Sequence, residues 1–329
     1  MRAIVLVAVF ATLRFLLLTP LHAQLLKKMH PSGFARLTIS VIHEDSSPVV
    51  EAKVGVGFNQ TKNYWRDGHK FDTKEFVTDA AGTVVASGET TTGWITYGAS
   101  KDGYYRTFGE QLMLKRRGDR YEPWDLVKEL VLKPIIKPIP MYARRLDTIR
   151  LPTVGRPVGF DLIASDWVAP YGKGTTSDLI FLLNTNYTSI EHAFDATLTI
   201  RFANEGDGIQ SVLAPINFGS KLRLPRYAPE EGYQSMLVKS YFRKAPNAQI
   251  HRDYRDDQNF FFRVRTVKQN GKVVSAYYGK IAGDIEFWGN QKLRFIYYVN
   301  PTPNDRNLEF DPKKNLFSAL PELEIVTDP

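Results

Sequence analysis

Hydrophobic and polar positions alternate every second residue along most of this chain. In the segment RLTISVIHED, Leu37, Ile39 and Val41 are separated by mostly polar neighbours. A period of two is typical of a β-strand with one buried face. Turn signals follow such runs at regular intervals, for example Asp-Ala-Ala-Gly at 79–82 and Asp-Gly at 102–103. Residues 34–135 are therefore predicted to form a β-sandwich of about six short strands.

The strand pattern continues in the second half of the chain. Its most regular part is NFFFRVRTVKQNGKVVSAYYGKI, beginning at Asn259. Strict alternation places Phe260, Phe262, Val264 and Thr266 on one face and Phe261, Arg263, Arg265 and Val267 on the other. Asn270-Gly271 between two such runs predicts a tight hairpin. We expect residues 157–300 to form a larger antiparallel β-sandwich or jelly-roll-like domain, which makes the whole chain all-β.

Proline marks the predicted boundary between the two domains. Pro138, Pro140 and Pro152 fall within residues 136–156, and proline removes backbone donors and favours extended backbone. This segment is therefore predicted to be a stiff connector. Residues 301–329 show few periodic signals, and we expect an extended C-terminal arm there.

The first 23 residues have the anatomy of a secretory signal peptide. Arg2 precedes an apolar run over 4–18 that only Arg14 interrupts, and Ala23 supplies a small residue at the expected cleavage point. A retained membrane anchor is the alternative, but the run is shorter than the roughly 20 residues of a spanning helix. No later segment is long and apolar enough to span a bilayer. The sequence thus predicts a secreted or periplasmic protein with no transmembrane segment after removal of the signal.

Two family resemblances agree with this layout. The first domain resembles carboxypeptidase-regulatory-like domains, which are transthyretin-like, immunoglobulin-related sandwiches. The matching positions are Val41, Asp45, Pro48, Val49, Ala52, Val54, Val56, Thr78, Asp79, Gly82, Lys101, Gly103 and Tyr104. This resemblance implies an accessory module for spacing, docking or glycan contact, with no enzymatic activity. The runs KPIPMYARR, DWVAPYGKG and NPTPNDRNLEFDPKKNLF resemble an uncharacterised family of exported bacterial proteins, which implies the two-part layout and no activity.

Composition removes several classes of chemistry. Cysteine is absent, which excludes thiol catalysis, thiolate zinc sites and iron–sulfur clusters. The six histidines are dispersed without metal-binding spacing, and the acidic loops lack calcium-loop spacing, so no metal or cofactor is predicted. The formal net charge is +8, but the cations are scattered apart from 115–120. We predict no nucleic-acid partner. The basic run is a solvated loop or a contact for an acidic polysaccharide.

The candidate ligand-binding residues are Asp166, Trp167 and Tyr171, in the loop DWVAPYGKG. Aromatic rings among glycine and proline, flanked by an acid, are typical of sugar-binding faces, where rings stack on apolar sugar surfaces. The alternative is an aromatic residue that holds the loop against its own sheet. Both readings stay open at the level of sequence.

No catalytic residues are assigned, although paired carboxylates are available. Glycoside hydrolysis uses one carboxyl group as acid and a second as base or nucleophile, and the pairs Asp161 with Asp166 and Asp284 with Glu286 fit that requirement by type. The function favoured by the sequence is a non-enzymatic binding or structural module of the bacterial envelope, with a polysaccharide or another envelope protein as partner. The alternative is a carbohydrate-active enzyme or glycan-binding protein that uses the second domain.

Overall fold

A computed structural model describes residues 32–61 and 64–329, so the predicted signal peptide lies outside the described residues. The chain divides into two compact units, each treated separately below. Unit 1 comprises residues 1–134 with 217–220, and unit 2 comprises 135–216 with 221–329. Within the described residues, helix is confined to the single turn α1 (Tyr64–Asp67) and a 3₁₀ turn (Glu322–Glu324). The prediction of an all-β protein is confirmed.

The described part of the chain contains twenty-six strands. The first twelve are β1 (Gly33–Ile42), β2 (Lys53–Asn59), β3 (Phe71–Val77), β4 (Thr83–Thr90), β5 (Trp94–Ser100), β6 (Tyr104–Tyr105), β7 (Thr107–Phe108), β8 (Leu112–Met113), β9 (Lys115–Arg117), β10 (Arg120–Glu122), β11 (Leu126–Val131) and β12 (Lys133–Pro134). The others are β13 (Ile139–Arg150), β14 (Val158–Asp161), β15 (Asp166–Trp167), β16 (Leu179–Thr185), β17 (Phe194–Arg201), β18 (Gly208–Leu213), β19 (Gly219–Ser220), β20 (Met236–Arg243), β21 (His251–Arg252), β22 (Gln258–Gln269), β23 (Lys272–Ile281), β24 (Glu286–Phe287), β25 (Lys292–Asn300) and β26 (Phe310–Asn315).

Unit 1 contains two main sheets whose apolar faces share one core. In the first sheet β1 pairs with β4 antiparallel and with β11 parallel. The second has the order β19-β7-β5-β2-β3. Alternate residues of β1 and β2, such as Leu37, Ile39, Val54 and Val56, are fully buried in a single cluster. The period-two pattern of the sequence therefore supplies the core of this sandwich.

Unit 2 also contains two main sheets. One has the order β18-β22-β23-β25-β13-β26, with β24 added to β25, and the other has the order β15-β14-β16-β17-β20-β21. Their facing sides form the largest core of the chain, which includes Phe160, Phe181 and Phe295. The first sheet carries a second, smaller core on its other side, which includes Met141, Tyr298 and Phe310. Both faces of the central strands are partly buried, and β25 accordingly carries an uninterrupted apolar run from Phe295 to Val299.

The structure contradicts two predictions, the connector over residues 136–156 and the extended arm over residues 301–329. Residues 139–150 form the longest strand of their region, β13, which pairs with β25 and with β26 of the supposed arm. Pro140 is tolerated because it lies between the two positions that pair with β26, where no ladder donor is lost. The prolines therefore wrongly predicted a connector where the chain forms β13, a strand within unit 2.

A buried carboxylate joins these two segments. Glu309 is fully buried, and its carboxylate accepts hydrogen bonds from the backbone N–H groups of Ile136 and Lys137, both at 2.9 Å. Its Oε2 also accepts a bond from Nε of Arg226 at 2.9 Å. A buried charge is tolerated only with such partners, and here the partners fix the start of β13 beside β26.

The predicted hairpin is confirmed, but the alternation of its first strand is broken. Asn270 and Gly271 both have positive φ, as a two-residue turn of this kind requires. The register between β22 and β23 shifts after Val264, and Arg265 adopts φ +55°. This irregularity is a β-bulge, which turns Arg265 toward the opposing sheet instead of the face predicted for it.

Candidate functional site

The structure places the three predicted ligand-binding residues in different environments. Asp166 and Trp167 form β15, which pairs with β14. Trp167 is only 9% exposed, and its ring meets Phe160 and Phe181 edge-on at centroid distances of 5.1 and 5.8 Å. Tyr171 is 43% exposed. The exposed aromatic surface of this loop is therefore that of Tyr171, while the indole packs in the main core of unit 2.

Asp166 closes the loop on itself. Its Oδ1 accepts a hydrogen bond from its neighbour's backbone N–H at 2.8 Å, and its Oδ2 accepts one from the N–H of Lys173, also at 2.8 Å. Both carboxylate oxygens are thus used within the loop. Such local bonds are the usual role of an aspartate in a tight turn.

Asp161 is the other acid of the candidate pair Asp161 and Asp166. It belongs to a charge cluster that we call the Arg265 node. The node consists of Asp161, Asp178 and Arg265. The guanidinium of Arg265 bonds both oxygens of Asp178 at 2.8 Å and reaches Oδ1 of Asp161 at 2.9 Å. Since Asp161 and Asp178 lie beside strands of one sheet and Arg265 lies in the other, the node joins the two sheets of unit 2.

The pKa of Asp161 is lowered, which does not suit a general acid. Burial alone would raise this pKa, but backbone N–H groups of Ala164, Thr175 and Thr176, together with the charge of Arg265, hold it below its usual value. Glycosidases need the pKa of the acid to be raised. The carboxylate is therefore suited to a permanent ionic contact.

The other candidate pair is engaged as well. Asp284 is buried and forms an ion pair with Lys239, and its second oxygen accepts a hydrogen bond from the N–H of Arg255 at 3.0 Å. Glu286 accepts a hydrogen bond from Nε of Arg294 at 2.9 Å and lies 3.8 Å from Arg252. Each of the four candidate carboxylates thus has partners from its own unit.

Two adjoining cavities lie on the side of the β13 sheet that bears the smaller core. The larger has a volume of about 350 Å³ and the smaller one of about 110 Å³. Arg145, Arg223, Ala282 and Ile296 line both cavities, so the two form one groove. Arg145 extends from β13 and is paired across the ladder with Ile296 of β25. All the lining residues belong to unit 2.

Two arginines with unbonded side chains line both cavities of this groove. Arg145 is exposed and Arg223 is half-buried, and the side chain of neither makes a hydrogen bond or an ion pair with any described residue. The acids of the larger cavity have cations of their own: Asp284 has Lys239, while Glu286 and Asp147 share Arg294 at 2.9 and 3.9 Å. Asp328 also lines the smaller cavity but forms no ion pair with either arginine, so the guanidinium groups of Arg145 and Arg223 remain unbonded where the cavities meet.

Sequence reasoning did not identify these arginines, nor Asp178 and Arg265 of the node. Arg265 carries little signal, since Arg263 and Lys268 are charged residues of the same strand. Arg145 ends the run KPIPMYARR, but nothing in that run indicates an anion site, and Arg223 lies 78 positions further along the chain. They line one groove only because β13 pairs with β25 and the segment around residue 223 packs beside these two strands.

The described residues contain no group of three or more histidine, aspartate or glutamate side chains that could hold a metal ion. Over the same residues, no helix is long and apolar enough to cross a bilayer. The chemistry available at the groove is thus the binding of anions by guanidinium groups and of donors by carboxylates.

Comparison with known proteins gives only distant matches. No protein-family model matches the chain, and a search of curated proteins finds none similar to it. Among solved structures, a 3-chlorocatechol 1,2-dioxygenase from Rhodococcus opacus matches with TM-score 0.24 and 8% identity, over 31% of this chain and 60% of that one. The shaft pilin SpaA of Lactobacillus rhamnosus GG matches with TM-score 0.23 and 10% identity, over 79% of this chain and 93% of that one. These scores are too low to carry an argument about function.

Proposed function

We propose that this chain is an exported, non-enzymatic binding module of the bacterial envelope, and that unit 2 carries the binding site. The site is the groove at Arg145 and Arg223, and its ligand carries a negative charge. The sequence resemblance of unit 1 to carboxypeptidase-regulatory-like domains supports an accessory role for that unit in spacing or docking. The predicted signal peptide supports export.

One contrast carries the proposal. The carboxylates of both candidate glycosidase pairs are engaged within unit 2, whereas the side chains of the two groove arginines make no hydrogen bond or ion pair with a described residue. A guanidinium in a concave surface is well suited to oxyanions because its N–H groups form a planar fork. An unpaired charge in a cavity is thus better explained by a ligand than by the fold.

Isothermal titration calorimetry of the purified protein with citrate tests the anion site. We expect binding that weakens at high salt, because ionic strength screens exposed charges. The double variant Arg145→Gln/Arg223→Gln should abolish it. The matched control is Arg156→Gln/Arg201→Gln, which removes the same charge from two exposed arginines of unit 2 outside the groove. Equal binding by both double variants would refute the proposal.

Reducing-sugar release from a panel of polysaccharides tests the rival enzymatic function. We expect no release. Release that Glu286→Gln abolishes in a protein with an unchanged unfolding transition would overturn the non-enzymatic proposal, because Glu286 belongs to the second candidate pair, whose two acids both line the larger cavity.

A further inference from the structure

We infer that the ligand of the groove is an anionic saccharide unit, a sugar ring that bears a carboxylate or a phosphate. This inference rests on the proposed function and specifies its ligand. It follows from three features of the groove: where the uncompensated cations lie, where the carboxylates lie, and where an exposed aromatic ring borders the larger cavity.

The anionic group is bound where the two cavities meet. Arg145 and Arg223 line both cavities, and Lys221 adds a further exposed cation to the smaller one. Lys280 also lines the smaller cavity, but its Nζ is already engaged with the carbonyl oxygen of Leu308 at 2.7 Å. The side chains of Arg145 and Arg223 therefore provide guanidinium donors that no described acceptor bonds, as bidentate recognition of an oxyanion requires.

The carboxylates of the groove disfavour a ligand that is only anionic, relative to one that also carries hydroxyl groups. Asp147 and Glu286 line the larger cavity, and Asp328 lines the smaller one. Ionised carboxylates are acceptors only, with several lone pairs each, so Arg294 leaves Asp147 and Glu286 with acceptor capacity. Beside the arginines they would repel a bare polyanion but accept hydrogen bonds from hydroxyl groups. The matching ligand carries one negative group and several hydroxyls.

Tyr254 supplies the surface for a sugar ring. It lines the larger cavity and is 38% exposed. Burial, followed by the hydrogen bond to Asp256, raises the pKa of Tyr254, so its phenol is neutral at physiological pH. Aromatic rings offer an apolar face with a polar edge. The larger cavity, about 350 Å³, falls within the range of roughly 300–1,000 Å³ that is usual for small-ligand sites.

Calorimetry with four probes tests the inference: glucuronate, glucose 1-phosphate, glucose and citrate. The first two separate a carboxylate from a phosphate on the same kind of ring. At least one of them should bind about tenfold or more tightly than both glucose and citrate, because it alone uses arginines and hydroxyl acceptors together. Arg145→Gln/Arg223→Gln should weaken that binding by roughly tenfold to hundredfold, and Arg156→Gln/Arg201→Gln should not change it.

Two single variants separate the ring from the charge. Tyr254→Ala should weaken the binding of the anionic saccharide and leave citrate unchanged, because only a ring uses the aromatic face. Asp147→Asn should tighten the binding of citrate by removing a repulsive charge, and it should not tighten the binding of the saccharide. Asp147 is well exposed, with 45% of its side chain accessible, so this change leaves the fold intact.

The outcomes distinguish the inference from the proposed function. If citrate binds as tightly as both anionic saccharides, or if Tyr254→Ala affects citrate equally, the saccharide assignment fails while the anion-binding groove stands. If none of the four probes binds, or if Arg145→Gln/Arg223→Gln binds the saccharide as the control variant does, both fail.

Discussion

Arg265 differs from Arg145 and Arg223, three arginines of unit 2, in having acidic partners for its side chain. Arg265 lies between the two sheets and has bonds to both Asp178 and Asp161. Arg145 and Arg223 line the groove, and their side chains have neither an ion pair nor a hydrogen bond with a described residue. Arg265 is part of the architecture, and the other two arginines are available to a ligand.

This difference teaches how to separate structural from functional charges in a protein without a recognised motif. A charge that the fold needs is surrounded by partners that satisfy it, since an unpaired buried charge is costly. A charge used for binding lies at a concave surface with its partner missing. Applied to the acids of unit 2, the same criterion assigns Asp161 and Asp284 to the architecture.

The strongest test of the comparison is removal of Arg265. Arg265→Met should lower the free energy of unfolding of unit 2 by about 3–5 kcal/mol, because it leaves two buried carboxylates without their cation. Arg145→Met should change it by less than about 0.5 kcal/mol, as is usual for exposed positions. Urea unfolding of both variants measures the difference. Similar losses for the two would show that the groove arginine is also structural.

Glu309 extends the comparison to an acid. Glu309→Gln should cost roughly 2 kcal/mol in unfolding free energy, because it removes the charge that receives the hydrogen bond of Arg226 and weakens two backbone bonds at the start of β13. The control is Glu230→Gln, whose carboxylate is 75% exposed beside Arg306. That change should be nearly neutral. A neutral Glu309→Gln would contradict the account of how the C-terminal segment is held.

The core of unit 1 offers a buried polar group with no counter-charge. Burial, and then the nearby charge of Glu110, raises the pKa of Tyr97 from 10.0 to about 12. Because the folded state then holds its proton more tightly than the unfolded state, stability is full below pH 10 and falls as the pH rises toward 12. Alkaline unfolding of wild type and Tyr97→Phe measures this loss. Equal pH profiles of the two proteins would contradict it.

The smallest effect is expected at Asp79, an exposed acid whose carboxylate accepts hydrogen bonds from its own turn. Hydrogen bonds from the N–H and hydroxyl of Thr83, followed by the N–H of Ala81, lower the pKa of Asp79 below its ordinary value of 3.8. The stabilisation is therefore present above that value and is lost as the pH falls through the folded pKa. NMR titration of the carboxyl carbon measures it. A pKa at or above 3.8 would show that the turn does not select the charged form.

The fold was largely predictable because its signals are local. Alternation identified β1 and β2, and Asn270-Gly271 identified the β22–β23 hairpin. The errors have a common cause. The proline-rich β13 and the strand β26 acquire their partners only through long-range pairing, which a local pattern does not contain. The bulge at Arg265 likewise reflects buried acids far away in sequence.

The groove was not predictable for the same reason. Arg145 and Arg223 stand in unremarkable sequence, and their lack of partners is a property of the tertiary structure alone. The sequence predicted a sugar contact because loop aromatics and acids are typical of such sites, and this stays a prediction. It placed that contact around Trp167, whose ring packs against Phe160 and Phe181.

A crystal structure of the protein with bound glucuronate tests the central claim most directly. We expect the carboxylate within hydrogen-bond distance of Arg145 and Arg223 in the groove, with the sugar ring toward Tyr254. Glucuronate bound instead at the exposed Tyr171 of the 166–174 loop, with the groove empty, would contradict the assignment of the groove arginines to ligand binding.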